Sequence, residues 1–477
     1  MNLVRYLLSA GAVRLTPAHR STHTLVIGQP GIGKSRALEA WAMQDIAQGH
    51  GVAVIDVHGD LFRHLETYIS SVPELVERVV ILDPTDRRWV VSFNPLEAIS
   101  GLSQERVALF LTDVVVKIWK LDVANAPRLV WLLTNTFLAL ANLRLSLLDL
   151  PRFLLDAEFR EGLLPRLKNE TARNYFTFEF PRSQATVHQW VAPALNKLSG
   201  LIFDPDVRLM LTGRSTINFR QVLDRKLVLL VHLPKGIIGE GTSALLGAFI
   251  VAHFQKAALS RANAAEREPY YLYLDEFQNY TTDNIKDILS ESRKYGLSLT
   301  LAHQYLDQLS PDLRSAVLST AGTIVCFRVG YHDAYLLAKE VFPSPAFLGS
   351  STLRLRRFLR WPLVTLAEHH QSLGWDGLAH QLANLPLREF WMRRRGPHAP
   401  ELMRTLKLPE PVMTPELLEQ IQHLRDLSGA RYGRRKQAVA REFAGRPNIP
   451  TRTVTDNGRK ARSENRVSAS EIPLWGD

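Results

Sequence analysis

The chain has 477 residues, 46% of them hydrophobic and 22% charged, with a formal net charge of +11. Its length allows two or three domains of roughly 100–200 residues with substantial cores. The single cysteine, Cys326, excludes an intramolecular disulfide framework and fits a reducing compartment. The excess of Lys and Arg favours an acidic partner, either nucleic acid or an anionic membrane surface.

The opening stretch, MNLVRYLLSAGAVRLTP, is interrupted by Arg5 and Arg14. It is too short and too polar for a membrane span, which needs about 20 apolar residues, and it makes a poor signal peptide. The longer tract LVWLLTNTFLALANL is broken and amphipathic, so the sequence reads as a soluble, cytoplasmic chain.

Strand and helix signals alternate over the first hundred residues. His23–Gly28, Gly51–Val57 and Arg78–Pro84 read as strands, separated by helical segments over Lys34–Gln48 and Leu61–Ile69. The strand runs are continuously apolar, as expected of parallel strands buried on both faces, and the pattern predicts an α/β fold. From Ser103 to about Ser199 apolar residues recur at helical spacing, which predicts an all-helical insertion. Strands resume at Lys226–Leu233, Tyr270–Glu276, Gly296–Ala302 and Thr323–Val329, with one long helix from about Thr242. REFWMRRRG is a last strand. The division this implies is 1–100 and 200–345 as two parts of one core, 101–199 as the insertion, 346–429 as a C-terminal extension and 430–477 as a basic, disordered tail, within which RYGRRKQAVAREF is a helix candidate.

Gly28-Gln29-Pro30-Gly31-Ile32-Gly33-Lys34-Ser35 follows an apolar strand and opens a helix, the context that a G-x-x-x-x-G-K-[ST] phosphate loop requires. The glycines let backbone N–H groups face phosphates, and the helix adds its positive end. Lys34 is expected to reach the β- and γ-phosphates of ATP, and Ser35 to ligate Mg²⁺.

YYLYLDEFQ is an apolar strand ending in two carboxylates. Asp275 is expected to hold the Mg²⁺ shell and Glu276 to deprotonate an attacking water. The plainer reading is a pair of helix-capping acids. Gln304 stands where the run Gly296–Ala302 ends, and a polar amide at a buried strand tip needs a partner. With its strand next to that of Asp275, Gln304 would face the γ-phosphate or the lytic water; otherwise it caps the next helix. Arg293 and Lys294 lie at the other end of the same strand, too far to serve their own subunit's site. They are either a solvated helix end or cations offered to a neighbouring subunit's nucleotide. In VIDVHGDL, His58 and Asp60 lack metal-ligand spacing, and a turn shaping the nucleotide pocket is the better reading.

Taken together, GQPGIGKS, VIDVHGDL, VVILDPTD with FNPLE, LYLDEFQNY, ESRKYGLSLTLAHQ and TIVCFRVGYHDA resemble the HerA/FtsK branch of P-loop motors. They resemble most the conjugative coupling proteins of the TraG/TraD type from type IV secretion. The resemblance implies a RecA-like ATPase core, a homo-hexameric ring and ATP-driven, sequence-independent DNA translocation. It places Lys34, Ser35, Asp275, Glu276 and Gln304 at nucleotide-site positions, and makes Arg293, with Arg328 second, a candidate finger acting in trans. Such proteins usually begin with transmembrane helices; here the phosphate loop is reached by Gly28. The expectation is therefore a chain peripheral at the inner membrane through a separate membrane or relaxosome partner. Two other functions remain open at this stage: a secretion ATPase acting on protein substrates or assembly, and a nucleotide-gated scaffold recruiting a nuclease or relaxase. Candidate DNA contacts are the run Arg354–Arg360 and the tail cations Arg431, Arg434, Arg435 and Lys436, each equally readable as a solvated surface or flexible arm, with pore loops expected between Leu233 and Ser243.

Overall fold

Seven of the apolar runs become parallel strands with every residue buried: β1 (Thr24–Ile27), β2 (Gly51–Asp56), β3 (Val79–Leu82), β5 (Val228–His232), β6 (Tyr270–Leu274), β7 (Leu297–His303) and β8 (Thr323–Cys326). Burial on both faces is why these segments are apolar throughout instead of alternating. The computed structural model describes residues 17–97, 103–122, 124–211, 213, 215–280, 284–342, 374–396, 398–406, 408 and 412–444. Within them a two-residue strand, β4 (Trp89–Val90), and three C-terminal strands, β9 (Glu389–Arg394), β10 (Glu401–Arg404) and β11 (Arg434–Arg435), complete the set.

The main sheet runs β10-β9-β8-β1-β7-β6-β2-β5-β3. Only β9 and β10 are antiparallel to their neighbours. The β7 strand therefore lies between β1, which carries the phosphate loop, and β6, which carries the acidic pair. The register sets Leu274 beside Leu301 and Ile27 beside His303, so the three carboxyl ends form one edge.

Helices α1 (Lys34–Ala47) and α2 (Asp60–Ser70) follow β1 and β2. The segment between β4 and β5 is helical, led by α3 (Gln104–Ile118), α4 (Pro127–Asn142) and α5 (Gln184–Phe203). The α3 helix starts where it does because Ser103 Oγ accepts from Arg106 N. Long, apolar α6 (Glu240–Leu259) packs against α3. By length and composition α6 also passes as a membrane-crossing helix, the one straight helix among the described residues to do so, but it is largely buried in the protein. Its Gly247 admits the Tyr280 ring; a Cβ there would meet the ring at 2.1 Å.

The expected tail from residue 430 is corrected for its first fifteen residues. Helix α7 (Pro415–Tyr432) docks on β3 and α2, β11 pairs antiparallel with β4, and α8 (Lys436–Ala444) follows. Docking depends on specific partners. Arg425 pairs with Glu66 (2.7 Å), Asp83 (3.3 Å) and Asp86 (3.1 Å), and Ser428 Oγ accepts from Ile81 N (2.8 Å) on the edge strand. Arg431 pairs with Glu77, the Arg435 guanidinium lies 4.0 Å over the Trp89 ring, and Lys436 pairs with Asp206 at 2.9 Å. These cations belong to a folded element, not to a free basic arm. The run Arg354–Arg360 lies outside the described residues.

Candidate nucleotide site

The phosphate loop joins β1 to α1 with Gly31 at φ 75° and Gly33 at φ 111°, the left-handed region in which a side chain is strained. Gly28 N donates to His303 O (3.3 Å) and Gln29 N to Arg328 O (2.9 Å), so both neighbouring strands hold the loop. Gln29, Pro30 and Gly31 are exposed, whereas Ile32 is buried and anchors the loop from below. Lys34 Nζ, itself buried, donates to Gly28 O (2.6 Å) and Gln29 O (3.0 Å). Burial lowers the Lys34 pKa, against the pull of Asp275 and Glu276.

Ser35 Oγ donates to Asp275 Oδ2 at 3.1 Å across 240 residues of sequence. Asp275 is pushed up to about 7, first by burial and then by the charges of Asp56 and Glu276; the Lys34 ammonium opposes this. Asp56, at the tip of β2, accepts from His58 N (2.8 Å) and Phe62 N (2.9 Å). The VIDVHGDL segment is thus a turn pinned by Asp56 at the pocket edge. No cluster of three or more His, Cys, Asp or Glu able to hold a metal exists among the described residues.

Glu276 adopts φ 52°, a left-handed conformation costing a non-glycine residue about 1–2 kcal/mol. Its two oxygens are both occupied: Gln304 Nε2 donates to Oε1 (2.7 Å) and Gln278 Nε2 to Oε2. Backbone strain held by two amide donors fixes the carboxylate at the edge where phosphate would lie.

Of the residues singled out in the sequence, the phosphate loop, Lys34, Ser35, Asp275, Glu276 and Gln304 come together. Arg293 does not. It is exposed, in the turn Ser292–Tyr295 that precedes β7, so the length of that strand, about 20 Å, separates it from Gln304. Arg328 is half-buried at the tip of β8. Two residues were missed. Tyr280 buries its hydroxyl near Asp56, Asp275 and Glu276, whose charges together with burial raise its pKa well above normal. Arg388, from the segment ahead of β9, has φ 68° and packs on Gly33. Nothing in the apolar patterning around either residue marks it out; only the fold brings them to the loop.

Residues 7–335 match a family model described as the type IV secretion-system coupling protein DNA-binding domain. No curated protein matches. Among solved structures, the plasmid coupling protein TrwB in complex with ADP and Mg²⁺ superposes with a TM-score of 0.56 at 16% identity, over 84% of this chain and 90% of that one. The trigonal form of TrwBdeltaN70 with sulphate gives 0.56 at 16% identity, over 83% and 88%. VirB4 of Thermoanaerobacter pseudethanolicus gives 0.51 at 13% identity, over 81% and 90%. At these identities the likeness is one of fold, a mostly parallel sheet carrying a P-loop. The family match covers well over half of the chain and agrees with the resemblance to TraG/TraD-type proteins: the chain belongs to the type IV secretion-system coupling protein DNA-binding domain family.

Proposed function

We propose that this chain is an ATP-dependent DNA-translocating motor of the coupling-protein type, hydrolysing ATP at the subunit interfaces of a homo-hexameric ring. The observation that carries the reading is the convergence of Lys34, Ser35, Asp275, Glu276 and Gln304 on the carboxyl edge of three adjacent strands.

The donor set fits Mg²⁺ held by few protein ligands. Ser35 Oγ and Asp275 Oδ2 are hard oxygens already in contact, and Asp275 is buried beside the like charges of Asp56 and Glu276, which a cation would offset. Bound there with ATP, the ion would neutralise charge on the β- and γ-phosphates. The protein's own groups do the rest. Loop N–H groups and the α1 N-terminus hold the phosphates, and Lys34 exchanges its two carbonyl partners for phosphate oxygens. Glu276 takes the proton of the attacking water, and Gln304 sets where that carboxylate points. Arg293, at the far end of β7, is suited to a neighbouring subunit's nucleotide. Pore contacts to DNA fall to the short helical turn Lys235–Ile238 after β5, where Ile237 is 70% exposed. The family's place in type IV secretion supports a peripheral position at the inner membrane, held by a membrane or relaxosome protein.

The test is steady-state ATP hydrolysis without DNA, with single-stranded DNA and with double-stranded DNA, at low and moderate salt. Stimulation that fades as salt rises is expected, because phosphate contacts release counterions. Turnover indifferent to every DNA at low salt would overturn the motor reading in favour of a secretion ATPase driven by a protein partner.

A further inference from the structure

The sheet order gives the nucleotide site a direction. Lys34, Asp275, Glu276 and Gln304 place the terminal phosphate on the β7–β6 side of the loop. The nucleoside end must then leave on the opposite side of β1, toward β8 and β9. There the segment Leu387–Arg388 meets the phosphate loop. Together with Gly31, Gly33, Lys34, Ser35 and Arg36 it lines a cleft of about 290 Å³, so the cleft continues directly from the phosphate loop.

Arg388 is fixed in place by its backbone. Its N–H donates to Ile32 O (3.0 Å) and its carbonyl accepts from Thr405 N (2.8 Å). Its φ of 68° is strained for a non-glycine residue, and its Cγ stands 3.3 Å from where a Gly33 Cβ would be. Fixing a long cation in such a conformation costs stability without visible return within the protein. Among the described residues its guanidinium has no hydrogen-bond or ion-pair partner, and the residue lines the open cleft. Leu387 beside it is 54% exposed, although it borders a cleft.

We infer that Leu387 and Arg388 form the nucleoside wall of the site, Leu387 packing on the base and Arg388 binding the ribose–α-phosphate end from within the same subunit. The inference rests on the nucleotide reading of the phosphate loop. It adds a contribution from residues beyond the matched segment 7–335. A planar guanidinium suits a phosphate oxygen, and an apolar side chain suits a base face.

Calorimetric titration of Mg²⁺ADP and of inorganic triphosphate into the full chain tests it, with melting temperatures measured in parallel without ligand. Arg388→Gly removes the side chain while glycine keeps the left-handed backbone and its two hydrogen bonds. It should weaken ADP binding by about ten- to a hundredfold with the melting temperature unchanged. Leu387→Ala should weaken ADP several-fold and leave inorganic triphosphate alone. The inference is overturned if Arg388→Gly binds ADP like the wild type, if its affinity loss comes with a lowered melting temperature, or if Leu387→Ala loses both ligands alike. Lys34→Ala separates the two readings. A wild type that binds no better than Lys34→Ala removes the nucleotide site itself. A wild type that binds well, with Arg388→Gly its equal, removes only the nucleoside wall.

Discussion

Gln304 Nε2 donates to Glu276 Oε1 at 2.7 Å, joining the tip of one strand to the strained residue that follows its neighbour. The odd amide at the end of an apolar run therefore serves the carboxylate, and positions it. Gln304→Ala should lower single-turnover hydrolysis about tenfold while leaving nucleotide affinity within a factor of two. A loss of affinity equal to the loss of rate would mean that Gln304 binds phosphate instead.

Glu276→Gln keeps the shape and can keep a hydrogen bond from Gln304, but removes the base. ATP should still bind, and turnover should fall by about a hundredfold to ten-thousandfold. Hydrolysis at the wild-type rate would take Glu276 out of the reaction.

Arg293→Ala should bind nucleotide normally yet hydrolyse it slowly once subunits assemble. Mixing it with Lys34→Ala gives the sharper result. If Arg293 acts across an interface, the two defective proteins together should recover activity that neither has alone. An inactive mixture would leave Arg293 as a solvated turn residue.

Gly247 on α6 and the Tyr280 ring touch so closely that a methyl group cannot be added. Gly247→Ala should cost about 1–3 kcal/mol, seen as a lower melting temperature. Tyr280→Phe should not, because that hydroxyl is buried without a hydrogen-bond partner among the described residues. A large loss in Tyr280→Phe would show that the hydroxyl serves the carboxylates beside it.

Lys256 is buried in α6 with its ammonium 5.2 Å from the Phe110 ring centroid, and burial lowers its pKa from 10.5 to about 7. Between those values the unfolded chain holds a proton that the folded chain has released, so stability should rise with pH from about 7 to about 10.5. Lys256→Met should flatten that rise and stabilise the protein below about pH 7 by on the order of a few kcal/mol. Denaturation midpoints at neutral and alkaline pH decide it, and an unchanged pH slope would clear Lys256 of the effect.

The parallel core was legible because burial on both faces leaves its mark on every residue of a strand. The adjacency of β6 and β7 could be proposed because a polar amide ending one run and two acids ending another needed a common purpose. Arg388 could not be read in this way. Its meaning lies in φ and in Gly33, more than 350 positions away in the chain, and periodicity carries neither. The two-residue strands β4 and β11 are too short to leave a pattern. The cations from Arg431 to Lys436 read as a free arm because a salt bridge depends on where its partner lies, and Glu77, Trp89 and Asp206 are far off in sequence.

The ends of the main sheet are closed by the same late stretch of chain. At one margin β9 and β10 extend it past β8; at the other, α7 lies along β3 and Ser428 takes up the Ile81 N–H. A fragment trimmed to residues 7–335 would bare β8 and β3 at once. Exposed strand margins recruit one another, so such a fragment should cluster in solution even with the phosphate loop, Asp275, Glu276 and Gln304 all intact.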